Sequence, residues 1–348
     1  MKAAVLKAVN VVEYDDVPEP ETGPNQIKVK IAYAGICGTD PEMIAGKFGM
    51  GTLPEGAIGE KYKRPVPPGL GVLGHEAAGT IVEIGKDVKG EYKIGQKVAM
   101  NFRSACGACY YCTNGMEHFC DYVTPASGAM AEYAVYPEND IFPVPEDTPL
   151  ELAAMVEPLS VAVHTMDIGK VKVGDSVIIT GAGTIGLMLL QLAQKSGASK
   201  ILVSEPFEAK RKLALELGAD RVVDPIHEDL LAISNEFTDE RGYNVCFECS
   251  GQLKVAEQLV LLAERCGTVV WAAVYPHEAR IPVSPFYMYT KELTIRGVLI
   301  SPYSFPRSVA MLPKMNLKPM IKIFPMKEVN RAFEAHRKGE GIKILLKP

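Results

Sequence analysis

Six residues, GAGTIG at positions 181–186, stand between an apolar run, DSVIIT, and an amphipathic one, TIGLMLLQLAQKSG. A strand that turns through glycines directly into a helix opens a βαβ unit, which commits the next strand to lie parallel to the first. The stretches that follow keep this rhythm: KILVSEP, EAKRKLALELG and RVVDP, then YNVCFECSG, GTVVWAAV and LTIRGVLI. The alternation predicts an α/β chain with a doubly wound parallel sheet of the Rossmann kind. Gly181, Gly183 and Gly186 let the backbone approach a pyrophosphate, which would rest on the amino end of the helix opened by Thr184 and Ile185. Glu205 closes the next strand, where an acid that binds ribose is expected. Its carboxylate accepts from ribose hydroxyls and repels a 2′-phosphate, so NAD is expected over NADP. Lys210 and Arg211 follow, and Lys210 is counted with the cofactor residues, although a solvated helix face explains both basic groups more simply.

Residues 1–157 have a different texture. Short strands broken by Gly and Pro, among them KAAVLKA, QIKVKIAYAGIC, AAGTIVEIG, QKVAMNF and AEYAVYP, predict a partly open β-barrel. The expected division is therefore 1–157 as the barrel and 158–294 as the dinucleotide domain. Residues 295–348 return to the barrel through a last helix, EVNRAFEAHRKG, and a last strand, IKILLKP.

Two sets of metal ligands lie in the barrel portion. In CGACYYCTNGMEHFC, Cys106, Cys109, Cys112 and Cys120 are separated by two, two and seven residues. Four thiolates in a short polar loop suit a structural, tetrahedral zinc with no position left for substrate, an iron–sulfur cluster being the rival occupant. His118 shares the loop but finds that shell full. The second set starts from GVLGHEAAGTIVEIG, where His75 and Glu76 sit side by side among glycines, costly to bury unless something binds them. Cys37 adds a thiolate. Glu157, ahead of Pro158 in VEPLSVAVH, adds a second carboxylate at a helix start. A thiolate, an imidazole and a carboxylate with a fourth position open describe a catalytic zinc. Singly, each is explained as a core thiol, a core imidazole or a helix cap; together, and beside a nicotinamide fingerprint, they point to chemistry.

Charge and composition exclude other classes. A net charge of −5 leaves no basic footprint for nucleic acid, and no apolar run reaches the roughly 18 residues of a membrane span. The opening MKAAVLKAVNVVEYDDV lacks the apolar core and cleavage site of an export signal, so a cytoplasmic location is expected. There, the eight cysteines would stay reduced.

With GICGTD, GHEAAGTIVEIG, the four-cysteine loop, EPLSVAVH, GAGTIG and FECSG in this order, essentially the whole chain resembles the zinc-dependent medium-chain dehydrogenase/reductases, in the branch of the sorbitol and other polyol, threonine and butanediol dehydrogenases. The resemblance implies a GroES-like catalytic domain, a Rossmann domain, NAD, two zinc ions and a homodimer or homotetramer. It matches Cys37 and His75 to the catalytic zinc, with either Glu76 or Glu157 as the carboxylate, one at a time. It also matches Asp40 to the acid that orients the histidine, and Thr39 to the hydroxyl that relays the substrate's proton. The implied reaction moves a hydride between NAD and a secondary alcohol: a polyol, sugar or cyclitol first, a vicinal diol or L-threonine as alternatives. A non-catalytic NAD-binding zinc protein is the alternative of another class.

The chain departs from its simpler relatives in a long Gly- and Pro-rich loop, 46–73, expected to border the site and shape substrate choice. Cys246, Cys249 and Cys266 are expected to be core thiols despite the CxxC of the first two. His164 is expected either near the metal or as a core histidine, and Tyr303 resembles substrate-side residues of polyol dehydrogenases.

Overall fold

Burial along the strands separates two kinds of sheet. In Gln26–Gly35, Ile27, Val29 and Ile31 are buried while Lys30 is exposed, the alternation of a strand with one face on a core. In Ser176–Thr180, every residue after the first is buried, as in a parallel strand covered on both faces. The computed structural model describes residues 1–46, 71–125, 128–276 and 278–348. They form two units, Met1–Glu157 with Phe305–Pro348, and Pro158–Ser304.

In the first unit, Gln26–Gly35 is the central strand and pairs antiparallel with Glu76–Ile84, Tyr133–Pro137 and Lys343–Lys347. Lys97–Met100 and Ile141–Pro143 extend the sheet on one side, and Ile321–Pro325 on the other. A small sheet of Val11–Asp16, Lys2–Ala8 and Gly71–Val72 lies over the same core. That core joins Leu6, Ile27, Val29, Ile81, Met100 and Tyr136 to Phe324, Phe333 and Leu346. The two sheets make the partly open barrel, and the carboxyl-terminal segment is part of its interior.

The second unit holds six parallel strands in the order Arg221–Val223, Lys200–Ser204, Ser176–Thr180, Tyr243–Glu248, Ala263–Trp271, Thr294–Gly297. This is the order of a dinucleotide-binding sheet, which reverses direction beside its first strand. Because Thr294–Gly297 is paired as its edge strand, the return to the barrel falls at Phe305 and not at residue 295.

Cys246 is fully buried as expected, but Cys266 is exposed. The strand Ala263–Trp271 settles into parallel register only from Thr268 onward, and Cys266, at φ 59°, belongs to the irregular stretch before it. The loop expected at 46–73 falls, over residues 47–70, outside the described residues. No helix among the described residues is long and apolar enough to cross a membrane.

Ile178 is fully buried in the central parallel strand, so Ile178→Ala should destabilise the protein by about 2–5 kcal/mol through lost burial and the cavity left behind. Val173→Ala, at a residue 86% exposed, should change stability by less than about 0.5 kcal/mol in the same denaturant titration.

Candidate active site

The central strand of the barrel assembles the first site. Gly35, at its end, faces Glu76 across the sheet. A Cβ on Gly35 would overlap the Glu76 carboxyl, so the glycine makes the room in which that side chain folds. Two residues on, Cys37 enters a turn closed by Asp40: the Cys37 N–H donates to Asp40 Oδ2 at 2.8 Å, and the Asp40 N–H donates to the Cys37 carbonyl at 3.1 Å. Thr39 stands at the amino-terminal cap position of the short helix Asp40–Ile44 that follows, its side chain making no capping hydrogen bond. His75 precedes the strand Glu76–Ile84, and its Nδ1 lies 3.5 Å from Asp40 Oδ1, which leaves Nε2 for a metal. Ligand atoms of Cys37, His75 and Glu76 all lie within 4.8 Å of one another. A sulfur, an imidazole nitrogen and a carboxylate oxygen at such spacing fit zinc with a position open.

Lys343 is a member of this site that the sequence reading missed. Its strand pairs beside Gly35, where the Ile36 N–H donates to the Ile344 carbonyl at 2.9 Å. The buried ammonium donates to both carboxylate oxygens of Glu76, at 2.6 Å to Oε1, and to the Ile36 carbonyl at 2.9 Å. Phe102 was also missed; its ring packs on that of His75 with centroids 5.2 Å apart.

Burial and opposed charges set the electrostatics of the cluster. Burial would lower the His75 pKa, but the Cys37 and Asp40 charges outweigh it and hold the imidazole well above its ordinary value. Burial pushes Glu157, itself 5% exposed, up to about 7, helped by the Glu76 charge and opposed by His75 and Lys343. Lys343, which burial alone would discharge, stays above its usual range because Glu76 and Cys37 face it. A divalent cation would relieve the same groups. Glu157 thus joins the site electrostatically, outside the tight three-ligand group. His164 is buried on the helix Val156–Gly169 and Tyr303 is 54% exposed; neither enters that group.

In the four-cysteine loop the sulfurs approach without bonding: Cys109 and Cys112 Sγ are 3.5 Å apart, Cys106 and Cys112 4.0 Å, and all are free thiols. The four ligand atoms lie within 4.8 Å of one another. Backbone N–H groups of Cys106, Cys109 and Tyr122 point at Cys120 and Cys106 sulfurs at 3.2–3.3 Å, as thiolates require. Backbone amides pull Cys109 down to about 6, while burial and its neighbours push Cys112 up to about 12. Four thiolates cannot all ionise unless a cation joins them, so the loop fits a closed metal site.

The glycine turn in the second unit has the features its sequence predicts. A Cβ on Gly186 would strike the Gly181 carbonyl, whereas one on Gly183 would meet open space, where a ligand can approach. The helix Thr184–Lys195 begins there. Glu205, 4% exposed, accepts from the Ala182 N–H at 2.8 Å and the Phe207 N–H at 3.1 Å. Its carboxylate thus faces the glycine turn. Arg211 is tied to the Glu205 carbonyl at 2.8 Å, to the Pro206 carbonyl and to Asp224 at 3.1 Å. Lys210 turns its ammonium over the Phe207 ring, 5.0 Å from the centroid.

Comparison with known proteins agrees with this anatomy. Residues 23–146 match the alcohol dehydrogenase GroES-like domain and residues 184–314 the zinc-binding dehydrogenase domain. The L-threonine 3-dehydrogenase of Pyrococcus horikoshii is 35% identical over 95% of this chain and 92% of its own. The D-arabitol-phosphate dehydrogenase of Enterococcus avium is 32% identical over 95% of this chain and 92% of its own. A zinc-binding dehydrogenase structure from Sinorhizobium meliloti, solved with NADP bound, superposes with a TM-score of 0.89 at 29% identity, covering 100% of this chain and 99% of that one. Matching domains at both ends, relatives aligned along nearly the whole length and a shared architecture establish that the chain belongs to the zinc-dependent medium-chain dehydrogenase/reductase family of oxidoreductases.

Proposed function

We propose that this chain interconverts a secondary alcohol and its ketone with NAD, at a zinc held by Cys37, His75 and one glutamate, while Cys106, Cys109, Cys112 and Cys120 hold a second, structural zinc. The observation that carries the reading is the convergence of Cys37, His75 and Glu76 within 4.8 Å, with Lys343 and Asp40 buried beside them. Bound there, zinc supplies Lewis acidity toward the substrate oxygen, and NAD supplies the hydride acceptor.

The chain's own groups do the rest. Asp40 orients His75, its Oδ1 facing Nδ1 at 3.5 Å, and holds Cys37 in place through its amide. The Thr39 hydroxyl, two residues from Cys37, takes the substrate's proton and passes it on. Lys343 neutralises Glu76, so a single net anionic ligand besides the thiolate remains, and Glu76 and Glu157 alternate in that role. Phe102 gives the site an apolar wall against His75. In the second unit, Glu205 would favour NAD: its buried carboxylate beside the glycine turn would repel a 2′-phosphate, and Arg211 is committed to Asp224 and two carbonyls.

A neutral polyol, sugar or cyclitol is the favoured substrate. The described residues around the metal site offer a thiolate, carboxylates and an aromatic wall, and the buried cation among them, Lys343, is engaged by Glu76. An amino-acid carboxylate would need a cation of its own. L-threonine is the second reading, supported by the similarity to threonine dehydrogenases, and vicinal diols are a third class to try.

The test is NAD reduction by zinc-loaded protein across polyols, sugars, cyclitols, vicinal diols and L-threonine, ranked by kcat/KM. A neutral polyol, sugar or cyclitol should lead, and His75→Ala should abolish turnover while the metal of the four-cysteine loop remains bound; retained turnover would sink the catalytic assignment. Glu205→Ser should raise the NAD KM about tenfold and narrow the preference over NADP, as seen by titrating both coenzymes. Lys343→Met strands a buried carboxylate and should destabilise the protein by about 3–5 kcal/mol, much of it recovered in Lys343→Met/Glu76→Gln. Additive losses in that double-variant comparison would show that the two groups are not coupled.

A further inference from the structure

Glu248 is a fully buried acid that the reaction above leaves without a role. It ends the strand Tyr243–Glu248, in the expected position of a ligand-facing edge, since ligands of open α/β sheets bind outside the carboxyl ends of their strands. Its carboxylate accepts from the Ser250 N–H at 2.7 Å, the Ser250 hydroxyl, the Gly251 N–H at 3.2 Å and the Tyr275 hydroxyl. Its backbone carbonyl accepts from the Ala272 N–H at 2.9 Å and the Ala273 N–H at 3.2 Å. Every partner is a donor, the set that an acceptor-only carboxylate requires. Those donors come from two loops, one following Tyr243–Glu248 and one following Ala263–Trp271.

A third loop leans on the same knot. The Cys249 N–H donates to the Thr180 carbonyl at 2.9 Å, just before the glycine turn. At Gly181, φ +94°, a Cβ would stand 3.0 Å from the Cys249 carbonyl carbon and oxygen and from the Ser250 nitrogen. The backbone that Glu248 pins is thus the surface against which the glycine turn rests. Burial and the Glu248 carboxylate also keep the Tyr275 phenol and the Cys249 thiol protonated, so Tyr275 stays a donor. Packing alone gives no reason to put a carboxylate here. A buried acid drawing four donors from the loops at the sheet's carboxyl edge costs desolvation that an apolar residue would avoid.

We propose that Glu248 is a positioning residue of the dinucleotide site, setting the height and orientation of the Gly181–Gly183 turn through Ser250, Gly251 and Tyr275. The inference rests on the reading of that turn as the place where NAD binds.

The measurement is NADH dissociation by fluorescence quenching on the zinc-loaded protein, with amide hydrogen exchange across 181–183 and a melting temperature alongside. Tyr275→Phe removes one hydroxyl, and Ser250→Ala removes another in case the first variant folds poorly. Each should weaken NADH binding about fivefold or more, raise the NAD KM more than it lowers kcat, and speed exchange at the glycine turn. Tyr287→Phe, which loses a hydrogen bond to the Leu261 carbonyl in the same unit, should leave NADH affinity unchanged. NADH affinity within about twofold of the unaltered protein in both variants, whatever their melting temperatures, would overturn the inference and leave the knot a merely structural one. Failure of the unaltered protein to bind NADH would instead overturn the dinucleotide reading, and this one with it.

Discussion

The buried pair between Lys343 and Glu76 is the constraint from which the first unit is best understood. Two charges removed from water cost several kcal/mol each unless geometry and further hydrogen bonds compensate, and here they do: both carboxylate oxygens and a backbone carbonyl receive the ammonium. The pair exists because Lys343–Lys347 runs beside Gly35 while Glu76 faces Gly35 from the other side. A slip of one residue in either pairing would turn Lys343 or Glu76 to the opposite face of the sheet. Strand register and the charge of the metal site are therefore one problem, solved jointly. The same pair explains how a thiolate and up to three carboxylates, those of Asp40, Glu76 and Glu157, can gather in one buried place.

A second device recurs in both units. Asp40, Glu205 and Glu248 are buried acids near the ends of strands, and each fixes a loop by accepting backbone amide protons: Cys37 for Asp40, Ala182 and Phe207 for Glu205, Ser250 and Gly251 for Glu248. Charge-assisted bonds to main-chain amides are short and directional. They hold a turn in one conformation with no need of bulk. Loops that must leave space for a ligand cannot be stiffened by filling that space with side chains, so anionic clasps from beneath are the available alternative.

How much of this was legible in the sequence depends on whether the signal was local. The glycine turn, the four-cysteine spacing and the adjacency of His75 and Glu76 are patterns within a few residues, and the structure gathers each as expected. Lys343 was not legible. In IKILLKP a lysine near the start of a short strand reads as a solvent-facing end, and its burial arises from pairing with residues far away in the chain. Phe102 and Tyr275 were missed for the same reason, their partners being His75 and Glu248. Cys266 was misread because its neighbours GTVVW suggest a regular buried strand, whereas at Cys266 the strand is still irregular, with φ 59°, and takes up its continuous parallel register only from Thr268. The strand within LTIRGVLI is expected from the sequence, but the boundary expected at residue 294 cuts through it, because an edge strand with most residues exposed gives a weak apolar signal for where the sheet ends.

The long reach of the buried pair also bears on how the protein is made. Glu76 and Lys343 are separated by 267 positions, and at a synthesis rate of roughly 5–20 residues per second the first waits roughly 13–53 s for the second. All of the parallel sheet leaves the ribosome in that interval, with mostly local strand-to-strand connections that can form unaided. The barrel must wait, its sheet lacking Lys343–Lys347 and Ile321–Pro325, and its anionic cluster lacking a counterion. Until then Cys37, His75 and Glu76 sit on an incomplete sheet, without the ammonium that faces Glu76 in the finished fold.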